Sequence, residues 1–180
     1  VKKRFFEDLL ERVRKIRASE RNLYEKVRDI FATSVDYDPQ TDFTQEFFAA
    51  MQNKFHFAIT GNTAAELVAN RISGKKENLG MTSWKGPVPT RKEAEVAKNY
   101  MLETELRQLY LLVEQFLSFA EFQIERKNVM HMKDWVEYLH KILKANSLEV
   151  LAGKGNVSRA DMERIVKQEM KKFARRKISR

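Results

Sequence analysis

The stretch ETELRQLYLLVEQFLSFAEFQIER, residues 103–126, decides the fold class. Leu106, Leu109, Tyr110, Val113, Phe116, Leu117 and Ala120 recur at three- and four-residue steps, which gives a helix a broad apolar face suited to a buried position in a bundle. The same period continues in both directions. Upstream, Phe43, Phe47, Phe48, Met51, Phe55 and Ile59 predict a helix that stops at Gly61. Thr63 and Glu66 have capping-box spacing, so a helix carrying Leu67, Val68 and Ile72 is expected from Ala64. Phe6, Leu9, Leu10, Val13 and Ile16 mark an amphipathic helix over about residues 5–17, and Leu23, Val27, Ile30 and Phe31 a second over about 20–32, with Ser19 capping the join. Thr90 and Glu93 form another capping box, opening a helix that reaches about Tyr100. Downstream, Trp135, Leu139, Ile142 and Leu143 predict a further helix. After the break at Gly153-Lys154-Gly155-Asn156, Ser158 caps a basic helix at about 158–177 with the stripe Ile165, Val166, Met170 and Phe173. Six Gly and three Pro leave little turn material for a sandwich or barrel. The expectation is an all-α fold, one compact domain over residues 1–180 with seven or eight helices.

Several chemistries are excluded by what the chain lacks. With no cysteine there is no thiol nucleophile, disulfide or cysteine zinc site. His131 and His140 lie nine residues apart without His-x-x-x-His spacing, and no nucleophile elbow, phosphate loop or dinucleotide fingerprint occurs. Asp36, Asp38 and Asp42 lack the spacing and closing glutamate of a calcium loop and read as turn formers beside Pro39. No metal and no cofactor are expected. Nor does any apolar run approach the roughly 18 residues of a membrane span, so no membrane partner is expected.

Charge is distributed unevenly. Residues 1–28 carry ten Lys/Arg against five acids, residues 29–153 carry 14 against 17, and residues 154–180 carry ten against three. A basic excess at the two ends can attract a polyanion. Lys171, Lys172, Arg175, Arg176 and Lys177 are the candidates for contact with nucleic-acid phosphates. In the long irregular stretch 73–89, Trp84 and Lys85 are the candidate recognition residues, with Trp84 as a core plug the structural alternative.

The segment from His56 through Thr60-Gly61-Asn62-Thr63 runs from a helix end, through a glycine turn, into a capped helix. Free N–H groups at such a start suit an anion, so Thr60, Gly61, Asn62 and Thr63 are candidate anion or nucleotide contacts. Gln52, Asn53 and Lys54 lie just upstream and are candidate cleft residues. Histidine followed by Gly and Asn five and six residues later resembles the signature of the Fic/Doc adenylyltransferases. That resemblance implies a base at His56, the catalytic candidate, and a related helical fold. The family's magnesium-binding acid falls on Thr60, its second glycine on Thr63 and its phosphate-binding arginine on Ala64. No catalytic residue is therefore assigned. If the turn were active, the reaction would be a Fic-like nucleotidyl transfer.

A broader resemblance covers about residues 5–145. Arg17-Ala18-Ser19-Glu20-Arg21, Tyr24, Lys26-Val27-Arg28-Asp29-Ile30-Phe31-Ala32, Asp36-Tyr37-Asp38-Pro39, Gln45-Glu46-Phe47-Phe48-Ala49, Gln52-Asn53-Lys54, Thr63-Ala64-Ala65-Glu66-Leu67, Thr82-Ser83-Trp84-Lys85-Gly86 and Ala97-Lys98-Asn99-Tyr100 follow in order. Together they resemble the C-terminal part of the RhuM-type bacterial virulence proteins. The resemblance implies a longer protein, opening before Val1 with a small DNA-binding or phage-antirepressor-type part, and a bacterial cytoplasmic location unless a secretion system delivers it. The expected role is a non-catalytic interaction module that binds another protein or its own subunit, with DNA contacted mainly by the N-terminal part. Direct nucleic-acid binding through the basic ends and nucleotide binding at the His56 turn are the alternatives.

Overall fold

The computed structural model of the chain describes Arg4, Glu7, Asp8, Glu11 and residues 23–178. Apart from Glu7, Asp8 and Glu11, which are helical, the helix expected over residues 5–17 lies outside the described residues, as does the Ser19 cap. The described residues form seven α-helices and one 3-10 turn, with no strand: α1 Leu23–Phe31, α2 Asp42–Thr60, α3 Ala64–Arg71, α4 Arg91–Ala94, the 3-10 turn Ala97–Tyr100, α5 Glu103–Glu125, α6 Met132–Ala145 and α7 Arg159–Ile178. The fold is all-α. Contacts gather the chain into two compact units, residues 1–55 with 108–150 and residues 56–107 with 151–180.

Unit 1 is built around aromatic rings. Phe116 of α5 meets Phe55 of α2 and Trp135 of α6 edge-on, with ring centroids 5.9 and 6.0 Å apart, and all three side chains are fully buried. Phe31 makes similar contacts with Phe47 and Phe48. The loop after α1 is tied to the start of α6. The Trp135 indole donates to the buried Ser34 hydroxyl at 3.1 Å, the Val35 N–H to the Met130 carbonyl at 3.0 Å, and the Met132 N–H to an Asp36 carboxylate oxygen at 2.9 Å. Asp38 accepts from the Gln40 N–H at 2.9 Å. Asp38 thus closes the turn at Pro39, while Asp36 ties the loop to α6.

Unit 2 holds Leu67, Val68, Leu79, Tyr100, Met101 and Val166 in its core. Helix α3 packs on α7 and on the 3-10 turn, and α4 on the same two elements. The capping box at Thr90 and Glu93 is complete. The helix it opens nevertheless ends after one turn instead of running to Tyr100. The Asn99 amide donates to the Glu93 carbonyl at 2.9 Å and the Tyr100 hydroxyl to the Ala94 carbonyl at 2.7 Å. These are carbonyls that a continuing α-helix would use, so the side chains supplant the next turn. The stretch 73–89 is pinned rather than loose. The Thr82 hydroxyl donates to the Met101 carbonyl at 2.8 Å, the Lys85 N–H to Glu93 at 2.6 Å, and the Gly74 N–H to Glu169 of α7 at 2.7 Å.

Candidate functional site

The turn from His56 to Thr63 is held by its own side chains. The Thr60 hydroxyl donates to the His56 carbonyl at 2.8 Å and accepts from the Asn62 N–H at 3.2 Å. The Asn62 amide donates to the Thr60 carbonyl at 3.0 Å and accepts from the Asn70 amide at 3.0 Å. Gly61 is left-handed at φ +72°, which lets α2 end there. Thr63 is buried, and its hydroxyl accepts from the Glu66 N–H at 3.3 Å, as the capping spacing predicts. The second half of that box is missing, because the Glu66 carboxylate instead accepts from the Asn156 N–H at 3.0 Å. A carboxylate thereby occupies the first turn of α3. The His56 ring has no exposed surface, and burial lowers its pKa to about 4. The imidazole is neutral at pH 7, and a target hydroxyl could reach it only if the surrounding structure moved.

Gln52, Asn53 and Lys54 are half-buried and belong to unit 1, whereas the His56 turn belongs to unit 2. Burial lowers the pKa of Lys54. His140 of α6 is also lowered, first by burial and then by repulsion from Lys54 and Lys144. Unit 1 therefore contains a histidine and a lysine both biased towards their neutral forms. Trp84 is half-buried and Lys85 exposed, its backbone N–H bound by Glu93.

Folding sorts the basic C-terminal run into different roles. Helix α7 buries Met162, Val166 and Phe173. Lys172 pairs with Glu169 at 2.5 Å, Arg176 donates to the Lys75 carbonyl, and the Lys177 ammonium lies 4.8 Å from the centre of the Phe173 ring. Lys171 and Arg175 are exposed on the side opposite the buried residues. Lys167 and Arg164 join them on that side, a pair that reading the run alone leaves out. Their signal is the helical offset from Val166 and Phe173. Among the described residues no group of three metal-ligating side chains comes together, and no helix is long and apolar enough to cross a membrane.

These features define an all-helical module whose motif-bearing turn is bound up in its own hydrogen bonds and whose last helix carries a solvent-facing basic side. The chain belongs to the virulence protein RhuM family, whose family model matches residues 1–180, the whole chain. Comparison with curated proteins and with solved structures finds no match.

Proposed function

We propose that this RhuM-family chain is a non-catalytic helical interaction module that associates with a second copy of itself through unit 1, alongside the DNA-contacting part of a longer protein. The supporting observation is on α5. Leu109, Leu112, Val113, Phe116, Leu117, Ala120 and Ile124 are buried, while Leu111 and Phe122, on the opposite side of the same helix, remain 57% and 56% exposed. Eleven residues separate them, about three turns or 16 Å along one row. Large apolar side chains repeated on an outward helix face favour a helix partner. Unit 1 has 16 Lys/Arg and 16 Asp/Glu, so two copies meet without net repulsion, and one helix crossing its own copy satisfies two-fold symmetry.

Sedimentation equilibrium of residues 1–180 tests the reading. The intact chain is expected to dimerise at micromolar concentrations, and the Leu111→Asp, Phe122→Asp variant to remain monomeric with unchanged helical content. A monomeric intact chain, or a dimer indifferent to both substitutions, would overturn self-association through this face.

A further inference from the structure

The chain's net charge is confined to one of its two units. Unit 2 carries 18 Lys/Arg against nine Asp/Glu, which accounts for the whole formal +9 of the protein, and unit 1 is balanced. Within unit 2 the excess is largest on α7. Because Met162, Val166 and Phe173 fix the inward side of that helix, Arg164, Lys167, Lys171 and Arg175 lie together on the outward side and are exposed. They follow one another at three- and four-residue steps, about 5–6 Å apart along a row of about 16 Å.

Of the three carboxylates of the helix, Glu163 and Glu169 are engaged off this row, and Asp161 pairs with Arg164 at its N-terminal end. Asp161 accepts from the Ser158 hydroxyl and from Arg164, Glu163 from Arg159, and Glu169 from the Gly74 N–H and Lys172. Among the described residues no carboxylate pairs with Lys167 or Lys171. Of the flanking cations, Arg176 donates to the Lys75 carbonyl of its own unit, and Lys172 and Lys177 are engaged within the helix by Glu169 and by the Phe173 ring, whereas Arg164, Lys167, Lys171 and Arg175 are exposed on the outward side.

We propose that the Arg164, Lys167, Lys171 and Arg175 face of α7 binds the phosphate backbone of double-stranded nucleic acid. A straight row of cations at regular spacing complements the regular line of charges on a duplex, where each strand presents one phosphate per about 3.4 Å of axis. The face carries no aromatic ring on which an unpaired base could stack, which favours a duplex over a single strand. Insertion into a membrane interface would require the apolar side of the helix, and that side is buried in unit 2. With no fixed base-reading group at its centre, the row gives sequence-tolerant contact. This face is independent of self-association through unit 1, since a monomer carries it intact.

The test is fluorescence anisotropy of a labelled duplex DNA of about two helical turns, titrated with the full 180-residue chain over a series of salt concentrations. Four phosphate contacts predict a log–log salt slope of about −3 to −4. The Lys167→Glu, Lys171→Glu variant is expected to lose at least tenfold in affinity and about two units of slope. A control variant, Lys127→Glu with Lys133→Glu, makes the same change in net charge on unit 1 and is expected to bind as the parent does. If the α7 variant proves unfolded by circular dichroism, Lys167→Gln with Lys171→Gln takes its place, with a smaller loss of affinity and the same change in slope of about two units expected, since the same two phosphate contacts are removed. Absence of duplex binding at low salt, equal losses in both charge-reversal variants, or α7-dependent binding of polyglutamate or anionic vesicles but not of the duplex would each overturn the proposal.

Discussion

Arg71 grips Glu105 with both ends of its guanidinium, Nη1 at 2.5 Å and Nη2 at 2.7 Å, and Nη1 also donates to the Tyr100 carbonyl at 2.9 Å. Glu105 in turn accepts from the Leu102 N–H at 2.8 Å, so one ion pair joins the end of α3, the 3-10 turn and the start of α5 within unit 2. Both side chains are mostly shielded from solvent, which places the pair between an exposed and a buried salt bridge. Arg71→Ala is therefore expected to cost about 1–2 kcal/mol in urea denaturation. The hydrogen bond from Arg71 holds the Glu105 pKa below its ordinary value. A carboxylate depressed in the folded state contributes stability above its unfolded pKa of about 4.3 and loses it as pH falls through the lower folded value. The gap between parent and Arg71→Ala should accordingly close in acid. A gap that persists undiminished at pH 3 would mean that Arg71 acts through packing alone.

His56 gives a pH dependence of the same direction at higher pH. Its folded pKa, lowered by burial to about 4, lies below that of an unfolded histidine at about 6.5. Between those values the unfolded chain takes up a proton that the folded chain refuses, so stability falls as pH drops from about 6.5 to 4, by about 3 kcal/mol in all. His56→Phe should flatten this part of the profile. Equal slopes in parent and variant, measured by denaturation between pH 7.5 and 4.5, would show that another group controls it.

Two glycines separate space from backbone conformation. Gly74 is buried where a Cβ would overlap the Glu169 carbonyl oxygen and lie 2.7 Å from the Lys172 Cβ. Gly61 has φ +72° with nothing within 4 Å of an added Cβ. Gly74→Ala should push α7 away from the segment that it anchors and cost about 1–3 kcal/mol. Gly61→Ala should cost only about 1 kcal/mol of left-handed strain, with Gly61→Asn milder still. Thermal melts of the three variants check the order, and a Gly74→Ala protein as stable as the parent would refute the tight approach.

Local signals were legible in the sequence where one element carries them. The caps at Thr63, Thr90 and Ser158 are all formed, because a hydroxyl and an N–H three residues on meet by helix geometry alone. The RhuM resemblance likewise lies in short runs of contiguous residues. What escaped reading depends on partners far along the chain: Arg71 with Glu105, Glu66 with Asn156 and Gly74 with Glu169 are each set by tertiary packing, not by spacing. Asn99 and Tyr100 show the same limit, since their side chains end α4 from five and six residues beyond its last turn. In α7 the period is visible, but a contiguous run of cations does not show which of them share a side of the helix: Lys167 lies outside the run and on the outward side, whereas Lys172 and Arg176 lie within the run and off that side.

The His56 turn yields the last prediction, for a nucleotide. A phosphate at the start of α3 would gain from the helix dipole by about 0.3–1 kcal/mol, but the Glu66 carboxylate in the first turn opposes a second negative charge there. The Asn156 N–H holds that carboxylate in place. Thr60 stands where the Fic/Doc pattern has its magnesium ligand, and its hydroxyl is committed to the His56 carbonyl. Ala64 offers no guanidinium for the phosphates. Calorimetric titration of residues 1–180 with ATP and Mg²⁺ should therefore give no saturable heat, and Glu66→Gln should not create any. Saturable binding that disappears in His56→Ala would require the turn to open and would restore nucleotide transfer as the reading of this site.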